Sequence, residues 1–383
     1  MRGSVIKRGK TWTVVIDLGS DPVTGKRRRH WDSGYVTRRD AERAQVETLS
    51  RLSNGTYVEP SRQSFGRFLL DEWLPARKAS VAPSTYSNYE YQLRTYVVPH
   101  LGHRPLQAIT PGELNAFYAG LLENGKRRGP GGLAPKSVRN VHGVIRKALG
   151  DAVKWSLLVR NPAANAEPPK PGRSIMKTWT AVQVRSFLEA ETETAEFALW
   201  TLAATTGMRR GEVLGLPWSA VDLKAGRVSI VQTLLLVGGK PMLRSEAKTA
   251  AGRRSVELDT HTTNVLATHR KRQMELRLRA GTAWQDHGLV FCREDGTPVK
   301  PEWLTRTFNS RAAKAGLPRI RFHDLRHTWA TLALASNIHQ KVVQERLGHS
   351  NISVTLDTYS HVIPAMDREA AETVAALIRG KGS

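Results

Sequence analysis

Cysteine is almost absent: Cys292 is the only one in 383 residues. An intrachain disulfide and a cysteine-based zinc cluster are thereby excluded, and a reducing cytoplasm is the expected compartment. Acidic residues are scarce beside basic ones, 34 Asp and Glu against 58 Lys and Arg, leaving a formal net charge of +24. No apolar run approaches the roughly 18 residues of a membrane span, so none is expected. The opening stretch MRGSVIKRGKTW is charged and lacks an apolar segment, which argues against a secretory signal. Familiar catalytic signatures are missing as well. The sequence has no phosphate-binding glycine loop, no dinucleotide fingerprint, no paired-histidine zinc helix and no serine elbow. No close set of carboxylates suggests two-metal phosphoryl chemistry, so a nuclease or polymerase of that type is not expected, and neither a metal nor a cofactor is called for.

What is present is positive charge and enough apolar sequence to fold. Hydrophobic residues make up 40% of the chain, which excludes global disorder. A strongly basic balance points to a polyanionic partner, either nucleic acid or an anionic membrane surface. The excess is +6 over residues 1–63, +9 over 64–173 and +9 over 174–383, so it is spread along the chain rather than confined to a tail. A protein that wraps its ligand with several modules fits that distribution. With roughly 6–10 phosphate contacts, affinity for DNA should fall about 10³–10⁵-fold between about 50 and 200 mM salt.

Three blocks are expected. In residues 1–58, Thr11–Leu18 reads as a strand, Asp21 to Gly25 as a turn and Lys26–Tyr35 as one or two further strands. Thr37, with Asp40 three residues on, opens a helix that Asn54-Gly55 stops. The basic run Lys26, Arg27, Arg28, Arg29 on this small α+β module is a candidate for a DNA groove. Residues 64–160 read as all-helical: Phe65–Trp73; Pro83 to about Val98, halted by Pro99 and Gly102; a helix opened by Thr110-Pro111-Gly112-Glu113; and a fourth carrying the stripe Val138, Val141, Ile145, Leu149, Val153. Lys126, Arg127 and Arg128 sit in the loop before that fourth helix and are candidates for DNA-backbone contact. Residues 161–174 (NPAANAEPPKPGRS) read as an extended linker. Residues 175–383 mix helices with a hairpin near 227–258, turned by Gly238-Gly239.

The third block carries short, bounded motifs of cationic and imidazole side chains. TGMRRGE (206–212) joins two helical stretches; the hairpin ends in EAKT (246–249), and RRSVEL (253–258) follows as a strand. RFHDLRHT (321–328) starts a helix with His323 and Arg326 on one face. LGHS (347–350) ends a helix, and Tyr359 lies in TLDTYSHV (355–362). Each residue has an ordinary structural explanation alone: a surface arginine, a helix cap, a packed turn histidine, a core tyrosine. Their ordered combination does not.

This ordered set resembles the tyrosine site-specific recombinases, the phage integrases and their relatives, over essentially all of 64–383. The front block is similar to the arm-site-binding domain of many integrases, on pattern alone. The resemblance implies a multidomain protein: a small α+β arm-binding domain, an all-α core-binding domain and a mixed α/β, mainly α, catalytic domain. It implies that Arg209 and Arg326 clamp a phosphate, that Lys248 is the hairpin lysine, and that His323 and His349 are the two motif histidines. It further implies that Tyr359 is the nucleophile and that Glu212 braces the site. Tyr359 follows His349 by ten residues, a spacing similar to that of relatives in conjugative transposons and actinobacterial phages.

The chemistry of these groups fits the resemblance. Two permanently ionised guanidinium groups can bind the non-bridging oxygens of a phosphodiester through forked donors, the work a metal pair does elsewhere. Tyrosine has an ordinary pKa of ~10, and nearby arginines favour its phenolate while His323 accepts the proton. The expected product is a 3′-phosphotyrosine and a free 5′-hydroxyl. The implied partners are double-stranded DNA with core-type and arm-type attachment sites and a homotetramer on that DNA, with an excision factor and a host DNA-bending protein as candidate helpers. The implied location is the nucleoid in the cytoplasm of a bacterial host. Two alternatives remain at this point: an Xer-like dimer resolvase or type IB topoisomerase on the same fold, and a DNA-binding regulator without catalysis. The C-terminal stretch at about Ala365–Arg379 is expected to be a helix that docks on a neighbouring catalytic domain or packs on its own.

Overall fold

The computed structural model describes residues 3–20, 24–172, 176–245 and 254–348, together with Ala375 and Arg379. Lys248, His349, Tyr359 and the C-terminal helix expected near 365–379 fall outside that set, apart from those two residues. The chain divides into two compact units, Met1–Arg173 and Ser174–Ser383.

The first unit opens with an antiparallel sheet of β1 (Gly3–Arg8), β2 (Thr11–Ser20) and β3 (Arg27–Tyr35) in that order. β1 was not evident in the sequence because basic residues interrupt its alternation. Lys26–Tyr35, expected as one or two pieces, holds a single strand paired from Trp12↔Tyr35 to Ser20↔Arg27, with register shifts next to Trp12 and between Asp17 and Gly19. Val14 and Ile16 of β2 are buried with Ala41 of helix α1 (Arg38–Ser53), forming a small core of their own. Thr37 caps α1, its hydroxyl oxygen accepting from the Asp40 backbone N–H at 3.2 Å.

A separate helical core follows. One helical run comprises α2 (Phe65–Arg67), a π-helical segment Phe68–Trp73 and α3 (Leu74–Arg77). A second comprises α4 (Pro83–Gln92), a π segment Leu93–Val97 and α5 (Val98–Leu101). The sequence predicts that these helices stop at Trp73 and at about Val98, halted by Pro99 and Gly102; the second does end at Gly102, but neither stops at a proline. They run on through Pro75 and Pro99 instead, because each proline is preceded by a widened turn. Leu74 N–H bonds to the Leu69 carbonyl and Val98 N–H to that of Leu93, five residues back. The missing proline N–H and the ring are accommodated by that widening rather than by a break.

Helix α6 (Pro111–Asn124) begins with a full capping box between Thr110 and Glu113. Helix α7 (Pro135–Lys154) buries Val138, Val141, Ile145 and Leu149 of the expected stripe, while Val153 at its far end is half-buried against the same core. Each fully buried side chain contributes about 1.5–3 kcal/mol of burial. The buried Asp151 of α7 accepts from Trp73 Nε1 at 2.8 Å, tying the first helical run to the last. The proline-rich stretch expected as an extended linker is not free over its first half. Asn161 donates to the Arg146 carbonyl at 2.8 Å, and Ala163 and Ala166 are buried in the helical core. Small apolar side chains between the prolines make that packing possible.

The second unit is mainly helical. It contains α8 (Ala181–Glu191), α9 (Phe197–Thr206), α10 (Arg210–Gly215), α11 (Thr260–Ala280), α12 (Pro301–Lys314), α13 (Asp324–Ala335) and α14 (Gln340–Leu347). Between α10 and α11 lie β4 (Val221–Asp222), β5 (Arg227–Ser229), β6 (Gln232–Val237), β7 (Lys240–Ser245) and β8 (Ser255–Glu257). The single hairpin expected over 227–258 is two nested pairings. β6 and β7 form a hairpin whose turn residues, Gly238 and Gly239, both have positive φ, while β5 pairs with β4 and β8 in a separate sheet. Trp179, Phe187, Trp200, Phe308 and Phe322 interlock at the centre of the core, with ring centroids 5.2 to 6.0 Å apart. Among the described residues no helix is long and apolar enough to cross a membrane.

Candidate active site

The end of α14 organises the site. The last carbonyls of a helix have no intrahelical donor and carry the negative end of its dipole. Here three successive carbonyls each receive an arginine from a different part of the unit. Arg254 Nε donates to Arg346 O at 2.8 Å, Arg326 Nη2 to Leu347 O at 2.5 Å, and Arg209 Nη2 to Gly348 O at 2.7 Å.

Arg209 precedes α10. Gly207 ends α9 in the left-handed conformation, φ +66°, and turns the chain into the motif. A Cβ there would also lie 3.0 Å from Leu347 and 3.2 Å from Trp329, so the position suits glycine on both counts. The Gly207 carbonyl accepts from Arg326 Nη1 at 2.9 Å. Arg326 thus spans the ends of α9 and α14 and is buried, 3% exposed. Arg209, whose side chain is 42% exposed, is the open member of the pair.

Glu212 is buried in the first turn of α10. One carboxylate oxygen accepts from Arg209 Nη1 at 2.8 Å and Arg254 Nη1 at 3.0 Å. The other accepts from the Arg209 backbone N–H at 2.8 Å and Arg254 Nη2 at 2.7 Å. Burial alone would raise its pKa, but the hydrogen bonds and charge of Arg254, reinforced by Arg209, hold it below the usual carboxylate range.

His323 sits at the N-terminal boundary of α13, and its ring meets that of His327 edge-on with centroids 5.2 Å apart. Its outer edge is open to solvent, yet loss of hydration followed by the neighbouring His327 and Arg326 pushes its pKa down to about 4. The imidazole is therefore neutral near pH 7 and able to accept a proton. Asp324 accepts from the Arg321 backbone at 2.8 Å and from its guanidinium at 2.7 Å. Thr328 in turn bonds the Asp324 carbonyl and receives the Trp179 N–H at 3.1 Å, which fixes the start of α13.

Of the predicted catalytic set, Arg209, Glu212 and Arg326 come together at one helix end, and His323 lies one turn before Arg326. Lys248, His349 and Tyr359 lie outside the described residues, although Gly348 immediately precedes His349. The predicted DNA contacts all belong to the first unit. Arg27 is paired with Asp17 at 2.7 Å and Arg28 with Glu59, while Arg29 faces Asp17 across the strand pair and Lys26 is exposed. Lys126 folds over its own loop to Pro130 O at 3.5 Å, the Arg127 guanidinium lies beside the Tyr91 hydroxyl, and Arg128 is exposed in the same loop.

Two residues were missed. Arg254 was read only as part of a strand; it stands two residues before the buried Val256, and nothing in the sequence pattern marked its distant partners. His327 shares a helix face with His323 by its four-residue spacing, which could have identified it.

Three family models match the chain: Phage integrase family over residues 177–366, the phage integrase N-terminal SAM-like domain over 67–122, and an arm DNA-binding domain over 4–52. A tyrosine recombinase XerC-like protein of Caldanaerobacter subterraneus subsp. tengcongensis is 28% identical, covering 97% of this chain and 98% of the relative. The ICEBs1 integrase of Bacillus subtilis is 26% identical, covering 96% and 97%. Among solved structures, the Tn1549 transposon integrase in complex with transposon right end DNA has the same fold, with TM-score 0.67 and 19% identity over 82% of this chain and all of that one. A lambda integrase dimer bound to a core site matches with TM-score 0.58 and 18% identity over 93% and 94%.

Proposed function

This chain belongs to the tyrosine recombinases of the phage integrase family and is a site-specific recombinase, and we propose that it joins two DNA attachment sites by covalent strand transfer through Tyr359. The observation that supports this reading best is the convergence of Arg209 and Arg326 on adjacent carbonyls, Gly348 and Leu347, at the helix end that leads into His349.

In the proposed reaction, Arg209 and Arg326 hold the non-bridging oxygens of the scissile phosphate and offset the charge gained in the five-coordinate state. Neutral His323 takes the phenolic proton as the Tyr359 oxygen attacks phosphorus. The bond from phosphorus to the 5′ oxygen breaks, and Lys248 gives that oxygen a proton. His349 donates a hydrogen bond to the phosphate. One phosphoester replaces another, so the 3′-phosphotyrosine retains the bond energy and a new 5′-hydroxyl can reverse the step without ATP.

The modules divide the recognition. Residues 4–52 match an arm DNA-binding model, and the basic β3 end with Lys26 to Arg29 would contact arm-type sites. The helical core with Lys126, Arg127 and Arg128 would grip core-type sites. A lambda integrase of the same fold has been solved as a tetramer bound to a Holliday junction, with TM-score 0.57 and 18% identity, and a homotetramer on DNA is the assembly proposed for this chain. An excision factor and a host DNA-bending protein would set direction, in the nucleoid of a bacterial cell. Dimer resolution, supercoil relaxation and silent regulation are not favoured: residues 4–52 match an arm DNA-binding model, a further DNA reader beyond the core-binding and catalytic modules, and the integrases bound to DNA share the fold.

Tyr359→Phe tests the reading. DNA binding should persist while covalent protein–DNA adducts and recombinant products vanish; adducts that survive in this variant would overturn it.

A further inference from the structure

We propose that Arg254 is a positioning residue for strand cleavage: through Glu212 it sets Arg209, and through the Arg346 carbonyl it holds the end of α14 against that arginine. The proposal rests on the reading of Arg209 as a phosphate clamp.

Arg254 makes a two-pronged contact with Glu212, Nη1 to one carboxylate oxygen at 3.0 Å and Nη2 to the other at 2.7 Å, while its Nε reaches Arg346 O at 2.8 Å. This fork fixes the plane of the Glu212 carboxylate, and that plane in turn aims Arg209 Nη1. The base of the device is anchored too. The Arg254 carbonyl accepts from the Ile230 N–H at 2.9 Å, and Val256 two residues on is buried. Arg254 also lies directly beneath Gly348: a Cβ on that glycine would stand 2.8 Å from Arg254 Nη1.

Charge gives the arrangement its purpose. Were Glu212 paired with Arg209 alone, it would cancel the cation that a phosphate needs. Arg254 is almost as buried as Glu212, 9% against 1% exposed, and supplies a second positive charge that cannot reach solvent. The three side chains sum to one positive charge, and Arg209 is the member open to a ligand. A buried ion pair is a weak stabiliser once its desolvation is counted, so orientation and charge balance account for the pair better than fold stability does.

The test is the single-turnover rate of covalent adduct formation at saturating DNA. The probe is a nicked duplex carrying the crossover sequence read from junctions formed in cells, and the protein is the full chain, with each variant's thermal midpoint measured alongside. Arg254→Ala should cut the rate by about 100-fold, the upper range for a supporting group, with DNA affinity nearly unchanged. Arg254→Lys, which keeps the charge but not the fork, should recover about tenfold of that loss. Adding Glu212→Gln to Arg254→Ala should also recover about tenfold, because the uncompensated carboxylate no longer competes for Arg209. A wild-type rate in Arg254→Ala overturns the proposal. So does a slow Arg254→Ala that neither change improves, since a purely structural role predicts that result. If Arg254→Ala does not fold, Arg254→Lys against Arg254→Gln carries the comparison: equal rates overturn the proposal, and a faster lysine variant supports it. Adducts from Tyr359→Phe would instead sink the underlying reading of the site.

Discussion

Arg209 Nη2 lies 2.7 Å from the carbonyl oxygen of Gly348, a contact across 139 residues of sequence. The first motif of the site is therefore held by the residue before the second histidine. Neither motif is a site without the other.

Because Arg209 uses Nη1 for Glu212 and Nη2 for Gly348, a point charge cannot replace it. Arg209→Lys should lower single-turnover cleavage by about 10²–10³-fold, the range for losing a preorganised donor at a developing charge. DNA affinity should change much less, since the proposed DNA contacts at Lys26 to Arg29 and Lys126 to Arg128 are untouched. Filter binding and adduct formation on the same nicked duplex separate the two effects, and a parallel loss in both would contradict this expectation.

Protonation of His323 sets a pH dependence with a definite sign. Its pKa falls from the ordinary 6.5 to about 4 in the folded chain. Between those values the unfolded chain binds more protons, so the contribution of this group to stability is full above the unfolded value and is lost as the pH falls towards about 4. In its proposed role as proton acceptor it stays competent over the same window. The acid limb of the cleavage rate in the free enzyme, followed as kcat/KM, should lie near pH 4 rather than 6.5. A limb near 6.5 would show that His323 is not the base or is not desolvated.

Gly348 has φ +64° and no room for a side chain, because a Cβ would stand 2.8 Å from Arg254 Nη1. Gly348→Ala should cost about 1–3 kcal/mol in stability of the second unit, read from its thermal midpoint, and should depress adduct formation further by displacing Arg209. An unchanged midpoint would mean that the end of α14 is softer than its hydrogen bonds imply.

Permanent guanidinium charge at the proposed phosphate site leads to one more expectation. Excess chelator should leave adduct formation and strand exchange at the untreated rate, measured on the same substrate. Lost turnover that returns with a divalent ion would place a metal in the reaction.

Local signals in the sequence were reliable where local physics decides the outcome. Thr37 and Thr110 begin helices through their hydroxyls, Gly207 ends one because it has no Cβ to oppose a positive φ, and the stripe on α7 is buried from Val138 to Leu149 as its period requires. Pro75 and Pro99 misled because the cost of a proline can be absorbed by widening the turn before it, which residue type alone does not reveal. The motif arginines were legible as a set, but their contacts were not. Arg209, Arg326 and Arg254 bond to backbone carbonyls, and a carbonyl leaves no trace in a sequence pattern. Arg254 escaped notice for the same reason: its importance lies in a carboxylate and a helix end 42 and 92 residues away. The run Lys26 to Arg29 looked like one patch, yet strand alternation turns Arg28 towards Glu59 and leaves Arg27 on Asp17.

The last turn of α14 gathers three guanidinium groups from sequence made earlier on the ribosome. A nascent polypeptide thus carries its matched arm and helical modules, residues 4–52 and 67–122, well before residue 348 exists to lock those arginines in register. The arginine cluster is thus completed only after both N-terminal modules have left the ribosome.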